Sequence, residues 1–156
     1  MWVSVLVTRS AHIVPLLSHS QPRYDHVGSD MSERTHNLVT ILPCNSVARS
    51  VAFYGRLGFR LALGDEEYAM LEDSKGAQIH LQPAVEGWLV PGCNPFGIYL
   101  YTEQVDDLAR EFANEILNSI GPEDKPWGMY EFALSDPDET LVRIGWPTRL
   151  RAATTA

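Results

Sequence analysis

Apolar positions in this chain follow two rhythms, and the order of those rhythms is stated twice. Residues 38–42, Leu-Val-Thr-Ile-Leu, form a β-branched run halted by Pro43, which predicts a buried strand. Val47, Val51, Tyr54 and Leu57 then fall at helical spacing, after a cap from Asn45 or Ser46 and before a closing Gly58. Residues 59–63 and 68–71 predict a hairpin about Gly64-Asp65, and a turn at Ser74-Lys75-Gly76 leads into a strand at 77–82. The order then returns. Residues 96–101 predict a strand, and 105–118 a helix with Val105, Leu108, Phe112 and Ile116 on one face. Asp106 and Asp107 stand in its first turn, where the helix dipole favours acids, so they read as a helix start and not as an acid–base pair. Residues 121–126 read as a loop or poor edge strand, and 130–134 with 140–146 as a last hairpin.

The two passes align by position. Asp73 stands seven residues before His80, and Asp136 seven before Arg143; Val39 to Tyr54 and Gly97 to Phe112 are both fifteen steps. A doubled unit implies a pseudo-two-fold cleft floored by equivalent positions of both halves. Strand alternation says which side chains reach it. Ile79 and Leu81 oppose Gln78, His80 and Gln82, while Val142, Ile144 and Trp146 oppose Leu141, Arg143 and Gly145. With the apolar sets under the helices, His80 and Arg143 are left on the concave face, beside Val39, Ile41, Gly97, Tyr99 and Tyr101.

Composition narrows the partners. The 156 residues carry a formal charge of −8 with 45% hydrophobic and 21% charged residues, ordinary for one globular domain. Arg9, Arg23, Asp25 and Asp30 cancel, so the acidic excess lies beyond residue 30. Such a surface argues against nucleic acid or an anionic membrane and weakly favours a cationic ligand. Cys44 and Cys93 form no ligand spacing and fit reduced thiols in a cytoplasmic protein. No apolar run reaches the ~18 residues of a membrane span. Residues 1–36 read as a disordered extension: residues 2–7 are too short and unflanked for a signal peptide, and no periodic pattern holds His12, His19 and His26. Met31 is an alternative start. Residues 37–147 form the domain, with modules 37–82 and 96–147 joined by a linker bearing Trp88, and residues 148–156 read as a flexible tail.

Two stretches carry a resemblance. Residues 46–59, ending Phe53-Tyr54-Gly-Arg-Leu-Gly-Phe59, are similar to the strand-then-helix signature of the vicinal oxygen chelate superfamily, which includes glyoxalases, extradiol dioxygenases and bleomycin-resistance proteins. Residues 126–145, with Pro126-Trp-Gly128 and Asp136-Pro-Asp138, resemble the hairpin of its bleomycin-resistance branch. Glu139 departs from the glycine usual in that turn. The resemblance implies an α+β fold: two pseudo-symmetric βαβββ modules forming a curved mixed sheet around a central cleft, helices on the convex side. It maps the four metal-ligand slots of the metalloenzymes onto Val39, His80, Gly97 and Arg143. One imidazole among four slots is not a metal site, since divalent ions need several carboxylate or imidazole ligands. The resemblance therefore points to the metal-free branch, with no cofactor and no catalytic residue.

The expected ligand-binding residues are His80, Arg143, Gln78, Gln82, Tyr99, Tyr101, Phe96, Trp88 and Trp127. His80 serves either as a ligand hydrogen-bond partner or base, or as a histidine bonded to a neighbouring strand. Arg143 either clamps an anionic group or pairs with Glu72 or Glu131. The aromatics suit a flat, conjugated ligand as a set, though each alone also suits core packing. The leading expectation is a cytoplasmic homodimer that sequesters a small molecule, such as a bleomycin-type cationic antibiotic. The alternatives are a metalloenzyme (lyase, isomerase or dioxygenase) completing a site on His80 from Gln78, Gln82 or Glu72, and a module whose cleft serves regulation or self-assembly.

Overall fold

The computed structural model describes residues 38–118 and 120–151. The extension expected at 1–36, with its three histidines, lies outside the described residues. In chain order the elements are β1 (Thr40–Cys44), α1 (Val47–Arg56), β2 (Arg60–Gly64), β3 (Ala69–Glu72), β4 (Gln78–Pro83), β5 (Gly97–Tyr101), α2 (Val105–Glu111), β6 (Glu123–Asp124), β7 (Met129–Ser135) and β8 (Leu141–Pro147). They form two four-stranded mixed sheets, ordered β1-β4-β3-β2 and β5-β8-β7-β6, each with its helix, which is the α+β doubling of a βαβββ module. The sheet is thus divided into two ladders, one per module.

The repeat holds at the level of register. His80 faces Ile41 and Met70, and Arg143 faces Tyr99 and Ala133, at equivalent points of the two ladders. Asp73 and Asp136 build the same turn. The Asp73 Oδ1 accepts the amides of Lys75 and Ala77, and the Asp136 Oδ1 those of Asp138 and Thr140. A side-chain oxygen that satisfies two amides closes a tight turn without help from the rest of the chain. The fourth residue adopts positive φ in both copies, Gly76 at 88° and Glu139 at 66°.

Boundaries differ from expectation where tertiary pairing intervenes. The first strand runs through Pro43, which sits opposite Gln82. β1 is an edge strand, so the N–H that proline lacks is not required by the ladder. Ser46 caps α1 by accepting the Arg49 amide at 3.4 Å, and Gly58 ends it at φ 94°. The second helix stops at Glu111, short of the expected Asn118, and Phe112 is its cap. The Leu117 amide is donated to the Ala133 carbonyl at 2.9 Å, which draws the following chain onto β7 beyond the end of β6. The expected tail begins with a 3-10 turn at Thr148–Leu150, its Thr148 hydroxyl donating to Asp124 at 2.7 Å; residues 152–156 lie outside the described residues.

The core gathers the two helices between their sheets. Phe53, Tyr54, Leu71, Leu81, Phe112, Leu134, Val142 and Ile144 are buried in one cluster, each side chain contributing about 1.5–3 kcal/mol. Polar locks join the modules across it. The Tyr54 hydroxyl donates to Asp136 at 3.0 Å, and Asn45 donates its backbone and side-chain N–H groups to Asp138 at 3.1 and 2.7 Å. The Asp-Pro-Asp stretch of the last hairpin therefore fastens the second module to the first helix.

Candidate functional site

Helices cover one face of each sheet and leave the other open, and strand alternation puts His80, Gln78, Gln82, Tyr99, Tyr101 and Arg143 there. On the open face of the first module, His80 lies in a row with Ile41 and Met70, flanked by Gln78 and Gln82. Its Nδ1 is 2.9 Å from the Tyr68 hydroxyl, whose ring meets the imidazole edge-on. Burial lowers the His80 pKa below 6.5, favouring the neutral ring. Of the two roles open to His80, the neighbouring-residue bond is made, by Tyr68 at the head of β3.

The open face of the second module is aromatic and charged. Arg143 donates through Nη1 to Glu131 Oε1 at 2.7 Å, while its side chain stays 42% exposed. Glu131 is 1% exposed and accepts two further bonds on Oε2, from the Tyr99 hydroxyl at 2.6 Å and the Trp127 indole at 3.2 Å. Burial opposes its ionisation, but those hydrogen bonds and the guanidinium outweigh burial and hold the carboxyl below the usual carboxylate range. Burial and Glu131 together push the Tyr99 hydroxyl up. A Cβ on Gly145 would sit 2.3 Å from that hydroxyl, so the tyrosine reaches Glu131 only because residue 145 has no side chain. Tyr101 lies against Tyr99 with ring centroids 4.6 Å apart. Trp127, on the turn closed by Gly128, and Tyr101 remain 62% and 61% exposed.

The repeat extends to these partners. Tyr68 precedes His80 by twelve residues, and Glu131 precedes Arg143 by twelve. Each central residue is thus steadied by the equivalent residue of its own module, and His80 and Arg143 do not meet each other. Glu131 is the residue that sequence reasoning left among the possible partners of Arg143. Its signal was alternation, since it lies between the apolar Tyr130 and Phe132.

The remaining expected residues divide. Tyr99, Tyr101, Trp127 and Arg143 come together, as do His80, Gln78 and Gln82. Phe96 precedes β5 with the parity of Ile98 and Leu100, which pack against the core, and not that of Tyr99. Trp88 is exposed on the linker, whose Gly92 amide is accepted by Glu139 and whose Asn94 side chain donates to the Asp138 carbonyl at 2.6 Å. A groove of about 420 Å³ along α2 is lined by Asp106, Ala109, Arg110, Ile116 and Ile120 and by none of the expected residues. Its polar groups are already engaged, Arg110 with Asp107 and Asp106 with Tyr130.

The sequence profile of the Glyoxalase/Bleomycin resistance protein/Dioxygenase superfamily matches residues 23–144. The chain belongs to this superfamily. Among solved structures of the fold, it is similar to a bleomycin-binding protein complexed with bleomycin, at 25% identity and TM-score 0.61 over 72% of this chain and 98% of that one. The bleomycin resistance determinant encoded on the transposon Tn5 is also similar, at 25% identity and TM-score 0.62 with the same coverage. A lactoylglutathione lyase from Agrobacterium tumefaciens shares the fold at 16% identity and TM-score 0.57, over 76% of this chain and 98% of that one. No curated protein sequence matches the chain significantly.

The metal that parts of the superfamily use does not fit the residues here. Of the four slots, Val39 and Gly97 supply no donor, and Arg143 brings a cation already bonded to Glu131. Among the described residues no three His, Cys, Asp or Glu side chains cluster as ligands, and no helix is long and apolar enough to cross a membrane.

Proposed function

We propose that this protein is a cytoplasmic, metal-free homodimer that binds a flat, conjugated small molecule and holds it without chemical change, in the manner of bleomycin-resistance proteins. The observation that carries the reading is the open face of the second module. Glu131 holds the Tyr99 hydroxyl and the Trp127 indole, with Tyr99 half-buried and Trp127 and the neighbouring Tyr101 exposed to solvent. Rings fixed before binding lose little entropy on stacking a ligand. Similarity to a protein complexed with bleomycin supports this ligand class, and the acidic balance of the chain suits that drug's cationic character.

In a single chain the two open faces are separate walls. A second copy would bring the His80 wall of one chain against the Arg143 wall of the other, giving two equivalent clefts in a symmetric pair. The metalloenzyme alternative is short of donors: Tyr68 engages His80, Gln78 and Gln82 are weak ligands for a divalent ion, and Glu72 adds one carboxylate to a face where, among the described residues, no three His, Cys, Asp or Glu side chains cluster.

Fluorescence titration with bleomycin tests the function. Trp127 and Trp88 emission should change saturably, with one drug bound per chain and no turnover of the recovered drug. An unchanged spectrum up to about 50 µM drug would remove bleomycin as the ligand.

A further inference from the structure

We infer that Glu131 is the specificity-determining residue of the aromatic face, cancelling the charge of Arg143 and occupying the polar ends of Tyr99 and Trp127, so that the face selects against anionic ligands. The inference rests on the binding reading above and assigns to one residue a charge preference that the reading drew only from the net charge of the chain. An unpaired arginine beside stacked aromatics would attract carboxylates, sulfonates and phosphates. Here the guanidinium is bonded to a carboxylate 1% exposed, so the pair is neutral before any ligand arrives.

The same carboxylate takes the Tyr99 O–H and the Trp127 N–H. Those rings therefore meet a ligand through their π-faces, which carry partial negative charge and attract cations. Glu123, opposite Glu131 across β6 and β7, is likewise paired, with Lys125. The ionised groups of this part of the face thus come in balanced pairs, inside a chain of net charge −8. What the face favours is a planar π-system that is neutral or positively charged.

A matched pair of probes reads this directly: one naphthalene ring carrying a quaternary ammonium and the same ring carrying a sulfonate, each titrated by tryptophan fluorescence. Wild-type protein should prefer the ammonium probe. Glu131→Gln, which keeps the shape and exposes the Arg143 charge, should strengthen the sulfonate probe about tenfold and weaken the ammonium probe. Arg143→Gln should move both affinities the opposite way, and the double variant should return the ratio towards that of wild type. Opposite signs in the two single variants are what a merely structural role cannot produce. Equal losses for both probes, an unchanged ratio, or no binding of either probe to any of the four proteins would overturn the inference. A charge-dependent ratio in a protein that ignores bleomycin would leave the inference standing and remove only that drug.

Discussion

A methyl group at Gly145 would meet the Tyr99 hydroxyl at 2.3 Å and the Glu131 Cβ at 2.8 Å, with no flexible end to yield on the Glu131 side. Gly145→Ala should therefore cost about 1–3 kcal/mol by urea denaturation and change the near-ultraviolet dichroism as Tyr99 leaves Glu131. Glu139 is strained at φ 66°, yet its carboxylate accepts the linker amide of Gly92. Left-handed strain of about 1 kcal/mol and a hydrogen bond of about 1 kcal/mol nearly offset. Glu139→Gly should be close to neutral in stability while making the linker easier to cut with protease. Glu139→Ala, which keeps the strain and loses the bond, should lose about 1 kcal/mol.

His80 sets a pH dependence with a definite sign. Its folded pKa lies below the ordinary 6.5, so the unfolded chain binds the extra proton first. Stability from this group is present above 6.5 and is lost as pH falls through 6.5 to the folded value. Urea midpoints measured between about pH 5 and 7.5 should show that slope, and His80→Asn should flatten it. The depressed Glu131 acts in a lower window, losing its contribution as pH falls from 4.5 through its folded pKa.

Much at this scale is legible without coordinates. A period of two is enough to set Tyr99, Arg143 and Gly145 on one face, and the turn at Glu139 showed its departure from glycine. The convergence of Tyr99, Trp127 and Arg143 on Glu131 is not legible, because it depends on the relative register of β5, β8 and β7 and on the turn carrying Trp127. Phe96 was expected in the aromatic set, although alternation within a strand at 96–101 already sets it opposite Tyr99; it lies one residue before β5.

Elements show what local pattern conveys and where it stops. The first helix ends where its cap and glycine say it should, since both signals act within a few residues. The second continues apolar at Ile116, which is buried, but reaches that position through a turn instead of a third helical turn. Helical spacing reports which side chains are buried and does not report that a backbone amide has found a better partner on a strand edge. The union of α1 with the last hairpin is equally long-range, with Tyr54 and Asp136 82 residues apart. Tyr54→Phe leaves one buried carboxylate oxygen without its donor and should cost about 1.5–3 kcal/mol in urea. In a double-mutant cycle it should be additive with Gly145→Ala, which shares none of its partners.

At the scale of the whole molecule, the open faces of the two sheets are where the proposed dimer would form its clefts. Ile41, Leu63, Tyr101 and Trp127 are exposed large apolar residues on or beside the two sheets. The proposed dimer would cover them, and a stable pair needs roughly 1,200–2,000 Å² buried in total. Sedimentation should find a dimer, and Ile41→Arg should shift it towards monomer. Because His80 and Arg143 would then face bulk water in every chain, the same variant should abolish the saturable fluorescence change. Saturable binding retained by a monomeric variant would place the whole site within one chain and remove the shared-cleft reading.

The paired turns at Asp73 and Asp136 carry a consequence for divergence. Both copies close their own hairpin with the same two amide bonds, but among the described residues the second alone also receives Tyr54 and, through Asp138, Asn45 from the other module. Two units built alike have thus become unequal in their freedom to drift. Asp73→Asn keeps an oxygen for both amides at an exposed turn, whereas at Asp136 the same change puts an amide group where a buried hydroxyl donates. A library of substitutions across both turns, sorted for folded protein, should return a varied first turn and a nearly fixed second one.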